Sequence, residues 1–144
     1  MLRRALIAAP LALIASAAQA EAKKEAEAIG QWVDLSPVGL PLIVGGELVN
    51  YVFVYVRINL TRSANALKLR EREPFFRDAL VRAGHRTPFT VPGDYVSLDS
   101  AKIAAAMKRE AVAIASPKDI ASVVVLRQTP KRRSNLLRAN SRKS

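Results

Sequence analysis

The chain contains one histidine and no cysteine, and these two counts remove most catalytic chemistry from consideration. His85 lies in Gly84-His85-Arg86-Thr87-Pro88, just past a predicted helix end, where an imidazole interacts with the terminal carbonyls. A zinc site draws three or four ligands from His, Cys and carboxylates, and neither HxxxH nor HExxH occurs. Serine chemistry needs a nucleophile, a base and an orienting group. There is no GxSxG, and any triad would have to be built on His85. Ser97, Ser100 and Ser116 are accounted for as helix boundaries. Gly45-Gly46 lacks the glycine spacing and following lysine of a phosphate-cradling loop. Asp94 and Asp99, on either side of Tyr95, are the one conceivable acid pair for glycoside hydrolysis, but two aspartates near a turn are commonplace. Asn59-Leu60-Thr61 matches a glycosylation acceptor that falls inside a predicted strand. The expectation is a non-enzymatic protein with no catalytic, cofactor-binding or metal-binding residues.

What remains is charge. The net charge is +11, with 23 basic and 12 acidic residues. Two basic residues lie in 1–20 and six in 131–144, neither stretch holding an acid, so 15 bases face 12 acids between 21 and 130. Most of the basicity is therefore a property of the two ends. Arg77, Arg82 and Arg86, with His85, form one candidate patch for an acidic partner or a phosphate. Lys131, Arg132 and Arg133 begin a second, continued by Arg138, Arg142 and Lys143. Such a tail gains roughly 1 kcal/mol per basic residue near an anionic membrane surface; the plainer expectation for it is a soluble, frayed C-terminus.

The opening MLRRALIAAPLALIASAAQA reads as a secretory signal peptide. Arg3 and Arg4 form the positive region, residues 5–17 are apolar or small apart from Ser16, and Ala18-Gln19-Ala20 supplies the small-x-small cleavage pattern before Glu21. A membrane span needs about 20 strongly apolar residues, whereas this stretch is Ala-rich, shorter and interrupted by Pro10. The expected location is the periplasm of a Gram-negative bacterium, with anchoring in the inner membrane if the segment is retained. Nucleic acid is not an expected partner for an exported chain.

These readings divide the chain into a signal peptide (1–20), a charged linker (21–31), a folded domain (32–130) and a basic tail (131–144). Within the domain, residues 32–60 predict a β-hairpin. Its first arm carries Pro37 and Pro41, which cannot donate to a ladder and place it at a sheet edge. Gly45-Gly46 makes the turn. In the return arm Val52, Val54, Val56, Ile58 and Leu60 share one face, and Tyr51, Phe53, Tyr55, Arg57 and Asn59 the other. The aliphatic face belongs against helices; the mixed face can take solvent or a partner. Residues 63–84 predict a helix bent at Pro74, capped by Ser63 or Asn65 and stopping at Gly84, with Asp78 and Arg82 paired on its outer side. A second helix follows a cap at Ser97 or Asp99, with Ile103, Met107, Ala111 and Ile114 on one stripe. Residues 120–129 read as a buried strand. The order β-β-α-α-β predicts a two-layer α+β domain, a small antiparallel-rich sheet with both helices on one face.

The segment Trp32-Val33-Asp34-Leu35-Ser36-Pro37, the Val-rich strand 51–60 and the run Pro74-Phe75-Phe76-Arg77-Asp78-Ala79-Leu80 together resemble the periplasmic domain of the flagellar basal-body-associated FliL family. The run matches that family's Pro-x-x-Arg-Asp-Ala-hydrophobic signature, and Val123-Val124-Val125-Leu126 would be its closing strand. The resemblance covers about 100 residues. It implies a non-enzymatic envelope domain that packs beside the flagellar stator and self-assembles. Its partners would be an envelope or flagellar motor protein and further copies of itself. Family members keep an uncleaved N-terminal membrane helix and lack the basic tail, and this sequence departs from both features.

Overall fold

The computed structural model describes residues 30–133. The predicted cleavage residues Ala18, Ala20 and Glu21, nearly all of the linker and the tail beyond Arg133 lie outside them. Four strands and three helices follow in the order β1 (Gln31–Asp34), β2 (Val38–Val44), β3 (Glu47–Leu60), α1 (Ala66–Glu71), α2 (Glu73–Arg86), α3 (Ser100–Ile114) and β4 (Ile120–Pro130). The domain is α+β: an open antiparallel sheet with a helical layer.

β3 organises the sheet because it is long and amphipathic with period two. Val52, Val54, Val56, Ile58 and Leu60 are buried under the helices. β1 pairs with residues 57–60 of β3 and β2 with residues 47–54. β4 pairs with residues 52–60. Since β4 takes one side of β3, β1 and β2 must share the other, as one edge strand broken at Leu35-Ser36-Pro37. Pro37 lies in the break. Across it, the Leu35 amide still donates to Val56 O at 3.0 Å, and Glu73 Oε1 receives the Ser36 amide at 2.8 Å. Gly45 (φ 59°) and Gly46 (φ 80°) form the two-residue β2–β3 turn, whose positive φ values match the strand twist.

Helices α2 and α3 pack on each other, α2 over β2 and α3 over β4. Phe76, Leu80, Ile103 and Met107 meet Leu40, Leu42 and the even face of β3 in one continuous core. The cap of α1 is Asn65, which accepts from the Lys68 amide at 3.1 Å. That of α3 is Asp99, which accepts from Lys102 at 3.1 Å.

Three expectations are corrected. The predicted bent helix is two helices, parted at Arg72 rather than at Pro74. Pro74 stands in the first turn of α2, where its missing N–H costs nothing. α2 also runs past Gly84 to Arg86. Gly84 is a contact point instead of a stop, since a Cβ there would lie 2.8 Å from Leu40 Cδ2. Lastly, β4 is not a buried strand. It forms the second edge of the sheet, with Val124 and Leu126 exposed, because α3 covers only one of its faces.

Candidate functional site

The helices leave one side of the sheet open. Its centre is the odd face of β3, Tyr51, Phe53, Tyr55, Arg57 and Asn59, and antiparallel register adds the neighbours on either hand. Trp32 and Ser122 flank Asn59, Asp34 and Val124 flank Arg57, Arg127 stands beside Tyr55, and Gly39 and Thr129 flank Phe53. Phe53 lies across Gly39, where a Cβ would touch its Cε1 at 3.4 Å. Trp32, Phe53 and Val124 are all more than one-third exposed.

Two arginines are held rigidly among these rings. Arg57 binds Asp34 with two parallel hydrogen bonds, Nε to Oδ1 at 2.6 Å and Nη2 to Oδ2 at 2.9 Å, and its Cζ lies 4.6 Å from the Trp32 ring centroid. The hydrogen bond from Arg57 holds the Asp34 carboxyl below the usual carboxylate range, and the same bond raises Arg57. Both side chains remain well exposed, so solvent screens the attraction and the pair fixes geometry more than it adds stability. Arg127 stacks on Tyr55 at 4.1 Å, and Asn59 Nδ2 donates to Ser122 Oγ at 2.9 Å. The result is a flat apolar and aromatic face with fixed cations, suited to contact with another surface.

The candidate cations read from the sequence are not brought together. Arg77 and Arg86 are nine residues apart on α2, about two and a half turns, and so point to opposite sides of the helix. Arg77 faces Glu73 (3.7 Å), Arg82 pairs with Asp78 (3.1 Å), and Arg86 reaches Glu110 on α3 (3.1 Å). Each has its own carboxylate. Lys131, Arg132 and Arg133 follow β4 as an exposed run, and the first two are held by the strand beside them. The Lys131 amide donates to Tyr51 O at 2.8 Å. Arg132 is clasped by Asn50, the one buried polar side chain among the described residues.

The residues weighed for catalysis are in structural use. His85 Nδ1 lies 2.8 Å from Val81 O, one turn back on α2. Asp94 accepts from the Ser97 hydroxyl and from the amides of Val96 and Ser97, and these bonds, the hydroxyl first, lower its pKa. Asp99 caps α3. Ser100 Oγ receives Gln128 Nε2 at 2.6 Å, and Ser116 Oγ receives the Lys118 amide at 3.2 Å. Among the described residues no three His, Cys, Asp or Glu side chains are grouped to hold a metal ion, and no helix is long and apolar enough to cross a membrane.

No family model, curated protein or solved structure matches the chain. Sequence reasoning found the central strand of the open face, since alternation in β3 separates its two faces by itself. It missed Trp32, Asp34, Gly39, Ser122, Val124, Arg127 and Thr129 as members of that face. Their membership depends on strand register, and a shift between the Tyr55 and Val56 pairings skips Leu126 and sets Arg127 opposite Tyr55.

Proposed function

We propose that this protein is an exported, non-catalytic interaction domain of the bacterial cell envelope and that it engages a protein partner through the open face of its sheet. The supporting observation is the asymmetry of that sheet. One face is sealed by α2 and α3, while the other leaves Trp32, Phe53 and Val124 in water beside Tyr55, Arg57 and Arg127. Exposed apolar side chains gathered on one surface mark interaction sites, and aromatic residues with arginine are the types enriched where proteins meet. The resemblance to the FliL family supplies the partner class: an envelope assembly, with the flagellar stator as its motile form.

Phe53→Asp and Val124→Asp, each made on the chromosome, test the reading. Both side chains are about two-fifths exposed (39% and 42%), so the domain is expected to fold while swimming, adhesion or envelope integrity declines. Folded variants at normal abundance with all three traits unchanged would refute it.

A second reading is favoured by a separate observation. Lys131, Arg132 and Arg133 leave the sheet exposed, and residues 131–144 contain no acid. This composition suits binding to an anionic membrane surface.

A further inference from the structure

The β2–β3 turn and the end of β4 are more than 80 residues apart in sequence and adjacent in space. Asn50 holds them together. Its Nδ2 donates to Arg132 O at 3.0 Å, and its Oδ1 accepts from Arg132 N at 3.1 Å. Leu48, Val49, Asn50, Tyr51, Lys131 and Arg132 consequently line one recess. The turn is anchored from behind by Thr90, whose Oγ1 donates to Ile43 O at 2.9 Å and accepts from Ile43 N at 3.3 Å.

At this end of the sheet Leu48 is 52% exposed, two residues past the Gly45-Gly46 turn. Leu48 is thus a large apolar side chain that stands half in water beside the turn. Lys131 and Arg132 line the same recess as Leu48, and Arg133 follows them in the chain. Lys131, Arg132 and Arg133 are consecutive and exposed, and none of them pairs with a carboxylate among the described residues. Glu47 is the single acid on the turn, and residues 134–144 add three more bases and no acid.

We infer that the β2–β3 turn and the start of the basic segment form one docking surface for anionic phospholipid. Leu48 enters the boundary between headgroups and acyl chains, and Lys131, Arg132 and Arg133 lie at the phosphates. The inference rests on the second reading above and adds the turn to it. Binding at a membrane surface grows with buried apolar area and with electrostatic attraction to anionic lipid, and the tertiary structure places a source of each side by side. A small soluble anion would satisfy the cations but leave Leu48 in water, whereas a phospholipid surface offers phosphates and an apolar layer together.

The test uses the full chain, which has no native cysteine, so Leu48→Cys carries a single environment-sensitive fluorophore. Leu67→Cys is the control. It is 70% exposed on α1, which packs on β1 near the opposite end of β3. Vesicles are phosphatidylcholine alone or mixed with phosphatidylglycerol. The neutral vesicles measure whatever residues 5–17 contribute in every variant. The label at 48 is expected to shift to the blue on anionic vesicles only, in a salt-sensitive manner, with the label at 67 silent. Lys131→Ala/Arg132→Ala/Arg133→Ala should abolish that shift and weaken partitioning at least about tenfold. Salt-sensitive binding with a silent label at 48 would overturn the inference while leaving the tail reading intact. Absence of any preference for anionic vesicles would overturn both. An equal shift on adding soluble glycerophosphate would mean a free-phosphate site and would also overturn it.

Discussion

Asn50 is the side chain on which the fewest atoms hold the most distant parts of the domain. It is 4% exposed and fully used: Nδ2 donates to Tyr95 O (2.9 Å) and Arg132 O (3.0 Å), and Oδ1 accepts from Arg132 N (3.1 Å) and Tyr51 N (2.9 Å). Three of those bonds join β3 to the 87–99 loop and to the residues following β4. Asn50→Ala removes all three. At about 1 kcal/mol net for each bond the loss approaches about 3 kcal/mol. Arg132 is exposed, so water can recover part of what its backbone loses, which brings the expectation to about 2 kcal/mol. For a domain of this size that corresponds to a fall of roughly 10 °C in Tm. Urea unfolding would give the energy, and hydrogen exchange would give its location. The Arg132 amide should lose protection while amides in the middle of β3 keep theirs. A variant within about 0.5 kcal/mol of the parent, inside the ordinary range for surface changes, would mean that these bonds merely replace equivalent bonds to water. The junction between the turn and the basic segment would then need another explanation.

Gly84→Ala should destabilise by about 1 kcal/mol, because crowding of the buried Leu40 Cδ2 costs about 1–3 kcal/mol against a helix-propensity gain of about 1 kcal/mol. A stabilised variant in thermal melts would show that Leu40 moves aside freely. Acid should act through Asp34 and Asp94, both of which have lowered pKa values in the folded state. Their contribution is fully present above the unfolded carboxylate pKa and disappears as pH falls through the lower folded value. Asp94→Asn should accordingly flatten the loss of urea resistance between neutral and acidic pH. An unchanged pH profile would show that the turn at Asp94 gains nothing from ionisation.

Local physics was enough for several parts of this protein. Strict alternation in residues 51–60 assigned each side chain of β3 to a face, because a strand has period two whatever it pairs with. Asn65 and Asp99 were among the predicted caps, since capping is settled within three residues of sequence. The glycine turn and the edge position of the proline-bearing arm followed from backbone preferences of single residues. Where local signals pointed both ways, context decided. Gly84 resembles a helix stop, yet the helix runs through it to Arg86, and its missing Cβ makes room for Leu40, from a strand more than 40 residues earlier. The apolar run of β4 resembles a buried strand, yet nothing among the described residues pairs with its outer side. Arg77, Arg82 and Arg86 look like one patch in the sequence, but helical rotation and the position of α3 separate them.

The surfaces argued to carry function follow the same division. Composition and the amphipathic strand, both visible in the sequence, determined that there would be an aromatic face and a basic end. Only the tertiary structure decided that Trp32 and Asp34 join Arg57, that Val124 lies on the same face, and that Leu48 stands beside Lys131 and Arg132. Periodicity and capping are energies of neighbouring residues, so the sequence states them directly. Strand register and the free edges of a sheet are energies between residues tens of positions apart, and they take a definite value only once the whole core has packed.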